Sequence, residues 1–412
     1  VNDPAATLVR RASAFAAITF PWAGALHVLP QVYLLAYHPE HKSVLLSGLL
    51  SLGTCASMAG VAFARRQLVR GASLSVRGVL GAGLLCFAPL VAVVFGVRPL
   101  ALYAAAYVAF RFTSNWAFNR LDNALLDATD ARGARIHATA TTGFNLLGHV
   151  AGPAAFVLLG ERTWLATGLV ALAGAWAAIA VSDVARAGLP PVPSMRLGVA
   201  GRPAGLRRWR AGRAPSFVAY TLAMSTGVAG FFSQMIFLLR DYEVVDDPKR
   251  TGGLLITLAG AVSVAVVLAS SRTSPAAPTR ASFAWPPLLP VLALALVAAR
   301  PGLAGLAVAS VIAGAGTGRY YLLSRLAASS WDGPPGRGAV LSFYNNAPNI
   351  AALLAYALAG GLAWALGEGA RGYHPTLLAS LMVTFASASA VAWCAPFAAL
   401  PDRAPRGELS TD

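Results

Sequence analysis

Apolar stretches long enough to cross a bilayer recur along nearly the whole chain, and no other feature restricts the possible folds so tightly. A hydrocarbon core of about 30 Å needs about 17–25 residues of helix. Runs of that kind are read at 12–37, 43–64, 79–97, 99–120, 137–160, 163–184, 215–239, 252–271, 284–299, 302–325, 338–366 and 373–400, numbered here as spans 1 to 12. Each must be a helix, because an open strand in lipid would leave backbone N–H and C=O groups without partners. Composition agrees: the 412 residues are 57% hydrophobic and 12% charged, about half the charge of a soluble domain. The expected class is an all-α, multi-pass integral membrane protein.

The formal charge of +16 could point to a nucleic-acid partner, but the cations are placed as a membrane would place them. With the N-terminus set inside, 22 Lys and Arg fall in inner loops and tails, eight in outer loops, and two, Arg111 and Arg319, within spans. That bias is the positive-inside rule and predicts both termini in the cytoplasm. Scarce lysine with abundant Ala, Gly and Pro suggests a GC-rich bacterial genome, hence a bacterial cytoplasmic membrane. Cys55, Cys86 and Cys394 lie within apolar spans and read as small buried hydrophobes, not as a disulfide framework or a metal site. No cofactor or metal is expected, and the chain is expected to act as a monomer.

The sequence also repeats. Gly48-Leu-Leu-Ser-Leu opens span 2 and Gly253-Leu-Leu-Ile-Thr-Leu opens span 8, an offset of 205; Arg132-Gly133-Ala134 and Arg337-Gly338-Ala339 follow spans 4 and 10 at the same offset. Arg111 and Arg319 differ by 208, and Gln31 and Gln234 by 203. Matches in one order at nearly one offset indicate duplication, giving two parallel six-helix repeats, 1–184 and 215–400. Between them, 185–214 is a Pro- and Arg-rich linker carrying Arg207, Arg208, Arg210 and Arg213, expected in the cytoplasm against anionic lipid headgroups. Residues 401–412 form a cytoplasmic tail.

Polar residues within the spans recur at three- or four-residue spacing and so share helix faces. Span 1 has Thr19, His27 and Gln31; span 4 has Arg111, Asn115 and Asn119, then Asp122; span 5 has Thr141, Asn145 and His149. Span 7 has Thr226, Ser233 and Gln234, and span 11 has Ser342, Asn345, Asn346 and Asn349. Spans 3, 6, 9 and 12 carry little beyond small Ser and Thr and should form the lipid-facing rim. Polar side chains at membrane depth face the bundle interior or a wet cavity, so a central cavity lined by spans 1, 4, 5, 7, 10 and 11 is expected. Spans 2 and 8, rich in Gly, Ala and Ser, suit close helix packing. Trp116, Tyr320 and Tyr321 are expected among the cavity's aromatic groups. Any single Asn or Ser could equally bond helix to helix.

Two six-helix halves, a basic central linker and quiet helices at every third position resemble the major facilitator superfamily over essentially the whole chain. Arg111-Phe-Thr-Ser-Asn-Trp-Ala in span 4 is similar to the arginine motif of drug–proton antiporters, with Ser114 and Asn115 in place of the usual Gln and Gly. In span 5, Gly148-His-Val-Ala-Gly152-Pro153 resembles the antiporter motif, although Phe156 and Val157 replace its final Gly pair. The resemblance implies transport by alternating access, with Gly148, Gly152 and Pro153 in a gating role. The loop after span 2 departs from the family pattern, since Ala64 stands where an Asp precedes the basic cluster. Asp122 or Asp127, at the end of span 4, could supply that gate carboxylate.

Arg111 lies thirteen residues from Arg98 and nine from Arg120, about 20 and 13 Å along a helix from charges that mark the interfaces. Burial there costs at least about 2.5–3.5 kcal/mol, so a partner or a hydrated cavity is required. Arg319 is six residues from Arg325 and could snorkel. All sixteen Asp and Glu lie at helix ends, in loops or in tails, which argues against a carboxylate proton relay. His27 and His149 are the mid-span imidazoles, with Arg111 the remaining proton-coupling candidate. Three substrate classes fit: an amphiphilic metabolite or drug moved by an exporter, the leading expectation; an organic anion held by Arg111 and Arg319; or a sugar or nucleoside. Arg111, Asn115, Trp116, His27, Gln31, Asn145, Gln234, Arg319, Tyr320, Asn345 and Asn346 are the candidate binding residues. No paired mid-depth carboxylates, metal-ligand spacing or nucleophile motif is present, so an enzyme is not expected.

Overall fold

A computed structural model describes residues 4–69, 89–91, 93, 97–127, 131–159, 162–182, 213–273, 279–299, 301–330 and 334–394. Linker residues 185–212, the tail and most of span 3, with Cys86, lie outside the described residues, and the last two linker positions, Arg213 and Ala214, already belong to the span 7 helix.

Proline chemistry shapes the spans. Span 1 is a helix from Pro4 to His27, interrupted at Val28 and resumed over Leu29–Tyr37. Pro30 has no N–H to continue the ladder, and the Gln31 side chain meets the break by donating Nε2–H to the His27 carbonyl at 2.5 Å. Span 9 divides likewise into Arg280–Ala284 and Leu288–Ala299 around Trp285-Pro286-Pro287. The other described spans are single helices: Lys42–Val69, Leu100–Asp127, Ala131–Leu158, Thr163–Ala180, Arg213–Asp241, Pro248–Thr273, Leu303–Ser330, Pro334–Leu366 and His374–Cys394.

Among the described residues, eight helices are long and apolar enough to cross a membrane. Spans 4 and 5 are also 28-residue helices but fall outside that group, because their polar faces dilute the apolar run. Those faces line the interior described below. The rim of the bundle is apolar, with Leu172 of span 6, Leu292 of span 9 and Val383 of span 12 exposed. Exposed tryptophans mark both edges of this band: Trp164 and Trp364 on the face where span 1 ends (the far face), Trp285 and Trp393 on the face where span 1 begins (the near face). Such indole belts sit at the two headgroup layers. Cys55 and Cys394 are exposed on this surface, not buried as their apolar surroundings suggest, since in lipid an apolar neighbourhood does not imply an interior position.

The duplication is reproduced in the packing. Spans 1·5, 1·6 and 2·4 pack within the first half, and 7·11, 7·12 and 8·10 within the second. Between halves, 2·11 mirrors 8·5, and 4·11 mirrors 10·5. Swapping the halves maps each contact onto another, which is the property of a pseudo-two-fold axis along the bundle. Near-equivalent residues of the two halves meet only close to such an axis, and Ile236 lies two residues past Gln234, the match of Gln31 in the repeat. Gln31 Oε1 accepts from the backbone N–H of Ile236, 205 residues on, at 3.1 Å.

Glycine sets the closest helix approaches. A Cβ on Gly152 would lie 2.2 Å from the Phe20 carbonyl oxygen, and one on Gly148 2.8 Å from that of Ala16. The resembling antiporter motif therefore works here at the contact of spans 5 and 1, inside one half. Across the halves, Val150 and Val157 of span 5 press on Gly260 and Gly253 of span 8.

Candidate functional site

Two adjoining cavities lie between the halves and share Trp22, His149, Tyr321, Pro348 and Asn349 as common wall. The space inside their linings, open solvent included, is about 860 and 830 Å³. The first lobe, toward the near face, is polar: Thr19, Ser114, Asn115, Asn119, Thr141, Thr142, Asn145 and Arg325 contribute to it. The second is largely apolar, walled by Leu26, Val228, Phe232, Ile256, Ala352 and Tyr356, and it holds Arg111 and His27. Among the described residues, spans 1, 4, 5, 7, 10 and 11 all contribute and spans 6, 9 and 12 do not. Span 8 lines the second lobe through Ile256, Ala259, Gly260 and Ser263, beyond the packing role expected of it. Among the described residues, span 2 contributes to neither lobe.

Arg111 is the dominant charge. It is 2% exposed, and its guanidinium carbon sits 4.9 Å from the centroid of the Trp22 ring, a cation–π contact. Its Nε–H points at the Gly53 carbonyl at 3.5 Å, a long contact that supplies little. Gly53 is needed there, since a Cβ would lie 2.3 Å from the Tyr107 ring and 3.1 Å from Arg111 Cγ. No carboxylate pairs with Arg111 among the described residues, and its buried Nη1 has no hydrogen-bond acceptor. His149 and His27 flank it, with ring centroids 5.7 Å apart, and Trp22 stands edge-on to His149 at 5.0 Å.

The carboxamides are partly committed. Asn145 Oδ1 accepts from Thr19 Oγ1 at 2.6 Å, which leaves its Nδ2 hydrogens unspent. Asn115 does the reverse: Nδ2 donates to Ser57 Oγ at 3.0 Å and to the Arg111 carbonyl at 3.1 Å, leaving Oδ1 as an acceptor.

Other expected site residues stand elsewhere. Trp116 donates to Gln67 at 2.8 Å, holding span 4 to span 2, and lines neither lobe. Tyr320 is fully buried, sharing a hydrogen bond with Ser225 Oγ at 2.8 Å; its neighbour Tyr321 is the cavity residue. Arg319 and Asn346 line neither lobe, and Arg325 occupies the place anticipated for Arg319. The side chains of Asn345 and Asp127 lie outside the described residues. Pro153 is buried within the span 5 helix and lines neither lobe.

Polar ties join the halves on either side of the cavities. At the near face, Arg325 Nη2 donates to Asp122 Oδ1 at 2.6 Å, and His137 Nε2 lies 3.2 Å from the same oxygen. At the far face, Lys42 Nζ bridges Asp241 at 3.0 Å and Glu368 at 3.2 Å. The Ser43 N–H donates to Glu368 at 2.9 Å across the halves, while within the second half Tyr373 Oη donates to Gln234 Oε1 at 2.7 Å and His374 Nε2 lies 2.9 Å from Asp241. Gln31 and Gln234 thus belong to the far-face closure, not to the cavity wall. Lys42, Asp241, Glu368, Tyr373 and His374 carried no sequence motif, though Lys42 is one of only two lysines in the chain.

No protein-family model matches the sequence, and no curated protein matches it. Solved structures do. The human organic anion transporter MFSD10 superposes with a TM-score of 0.63 at 15% identity, covering 95% of this chain and all of that one. The nucleoside transporter NupG superposes with a TM-score of 0.64 at 10% identity, covering 94% of this chain and 99% of the other. The fold is the twelve-helix fold of major facilitator transporters. At these identities the likeness concerns architecture, and the substrate has to be argued from the cavity.

Proposed function

We propose that the chain is a secondary transporter that carries small organic anions across a membrane by alternating access, with Arg111 as the anion-binding group. The carrying observation is that this guanidinium is buried on the cavity wall, lacks any described acidic partner and keeps Nη1 without an acceptor. A buried charge left so costs several kcal/mol. An arriving carboxylate or phosphate offsets that cost through charge-assisted, forked hydrogen bonds. The ties at the two faces would open in turn as one half rocks against the other about the pseudo-axis. The wall chemistry favours an anion over the amphiphilic drug that the antiporter-like motifs first suggest, because their glycines serve packing between spans 1 and 5. A sugar or nucleoside carrier is a second reading, favoured by the carboxamide-rich lobe. The positive-inside bias supports a cytoplasmic-membrane location with both termini inside.

The test is uptake into proteoliposomes of radiolabelled carboxylates, sulfonates and phosphate esters beside an uncharged nucleoside and a hexose. Saturable anion uptake that Arg111→Gln abolishes is expected. Uptake of the neutral solutes alone, or anion uptake indifferent to Arg111→Gln, refutes the reading.

A further inference from the structure

We infer that the two lobes form one bipartite site for an organic monoanion whose charge is separated from a hydrogen-bonding group by an apolar or aryl spacer. The inference rests on the reading of Arg111 as the anion-binding group and specifies what else the solute must carry.

The charges lining the cavity set the valence. Among the described residues, Arg111, Arg325, His27 and His149 are the ionisable groups other than tyrosines on the two walls, and no Asp or Glu lines either lobe. Arg325 is already neutralised by Asp122 at 2.6 Å, and imidazoles are neutral well above their ordinary value of about 6.5. One positive charge is left to be balanced. A dianion would bring a second negative charge into a buried site with no cation to receive it, a costly arrangement.

The walls set the shape. Around Arg111 the lobe presents mainly Leu26, Phe232 and Ile256 with Trp22 and Tyr321, surfaces that receive hydrocarbon; the Ser225 and Ser263 hydroxyls there are bonded within the protein, and Thr317 adds one hydroxyl. One helical turn away the walls change character. Asn115 is four residues beyond Arg111 on span 4, and Asn145 four residues before His149 on span 5, so both carboxamides lie about 6 Å along the helix axis toward the near face. Asn145 retains its Nδ2 donors and Asn115 its Oδ1 acceptor. A donor and an acceptor facing one lobe match a hydroxyl or an amide, which can accept and donate at once. A purely hydrocarbon tail there would strip water from both carboxamides and return nothing. The solute so described is a hydroxylated or amide-bearing monocarboxylate, with the polar group about one helical turn from the carboxylate.

The experiment is binding to the detergent-purified full chain at pH 8 and constant ionic strength, followed by intrinsic tryptophan fluorescence. The probes are 4-hydroxyphenylacetate, phenylacetate, 4-carboxyphenylacetate, phenyl phosphate and sodium chloride. We expect 4-hydroxyphenylacetate to bind at least about tenfold more tightly than phenylacetate, the increment of a well-made hydrogen-bond pair, and the two dianions to bind more weakly than either. In Asn115→Ala and Asn145→Ala the ratio of hydroxylated to unsubstituted acid should fall toward one. A ratio is independent of the fraction of protein that is folded. Equal binding of the dianions, a hydroxyl preference that is missing or that survives both asparagine variants, or chloride displacing the acids at equal concentration would each overturn the bipartite monoanion site while leaving an anion site at Arg111. Binding of every anion unaltered by Arg111→Gln would overturn the anion reading itself, and binding by no probe would overturn both.

Discussion

Replacing Lys42 with Met should open the far face without unfolding either half. Its ammonium lies 3.0 Å from Asp241 and 3.2 Å from Glu368, and these carboxylates belong to the opposite half. Their side chains are 10%, 7% and 17% exposed, so the pairs are neither fully screened nor fully dry. A unit pair at 4 Å is worth about 4 kcal/mol at an effective dielectric near 20, and removing one partner of a fully buried pair costs about 3–5 kcal/mol. Discounting for partial exposure leaves about 2 kcal/mol, and the two carboxylates then keep only the His374 and Ser43 N–H contacts. That energy is held across the halves, whereas the 1·5, 2·4, 7·11 and 8·10 contacts are untouched. It therefore acts on the equilibrium between closed and open far faces, shifting it about 30-fold.

Spin labels at Glu40 and Arg371, exposed on far-face loops of the two halves, report the change through electron–electron distances in a cysteine-free background. Lys42→Met should add or enlarge a longer-distance population, and Lys42→Met with Asp241→Asn and Glu368→Gln should partly reverse it. Tyr373→Phe, which removes the hydrogen bond to Ser43 across the halves, should give a smaller shift in the same direction, about 1 kcal/mol. An unchanged distance distribution with a lowered melting temperature would refute the argument and make the cluster a support of the fold.

Three further outcomes follow from other contacts. Arg111→Gln removes an unpaired buried charge and a Trp22 contact worth about 1–2 kcal/mol, so the ligand-free protein should melt within a few degrees of the parent or above it; a large fall in thermal unfolding would mean that Arg111 holds the fold. Asp122→Asn leaves Arg325 buried without its counter-charge and should cost about 3 kcal/mol, while the double variant with Arg325→Gln recovers much of it; a double-mutant cycle with coupling below about 0.5 kcal/mol would count against the tie. Gly152→Ala, whose new Cβ would meet the Phe20 carbonyl at 2.2 Å, should lose about 1–3 kcal/mol by overpacking, whereas Gly143→Ala, which meets nothing within 4 Å, should be neutral or gain up to about 1 kcal/mol in thermal melts.

Much of this molecule follows from periodicity and charge, and what escapes has a geometric cause. The depth of Arg111 could be read from its spacing to Arg98 and Arg120, and its lack of an acid from the absence of carboxylates inside the spans. Which neighbours share the cavity depends on angle. One residue turns a helix by about 100°, which separates Tyr320, bonded to Ser225, from Tyr321 on the cavity wall. The same turn carries Arg319 away from both lobes. Thr317, Tyr321 and Arg325 are spaced by four and all line the interior, so the face rule that selects Thr141, Asn145 and His149 also holds on span 10. Arg319 follows the sequence repeat, whereas Arg325 follows the helix face.

The contacts between halves are less accessible, because composition and periodicity describe one helix at a time. The repeat nonetheless contains information about them. If the halves are related by an axis through the bundle, positions separated by the repeat offset approach each other only at that axis, and at span ends they are the residues that can close it. Gln31 meets Ile236 at an offset of 205, and Asp122 meets Arg325 at 203, one at each face. The duplication that first appears as a similarity of short motifs thus also identifies where the two halves touch on their common axis. It explains why a carboxylate at the end of span 4 finds its partner at the end of span 10, and why Arg111, whose equivalent position does not reach it, is left to be neutralised by what the cavity admits.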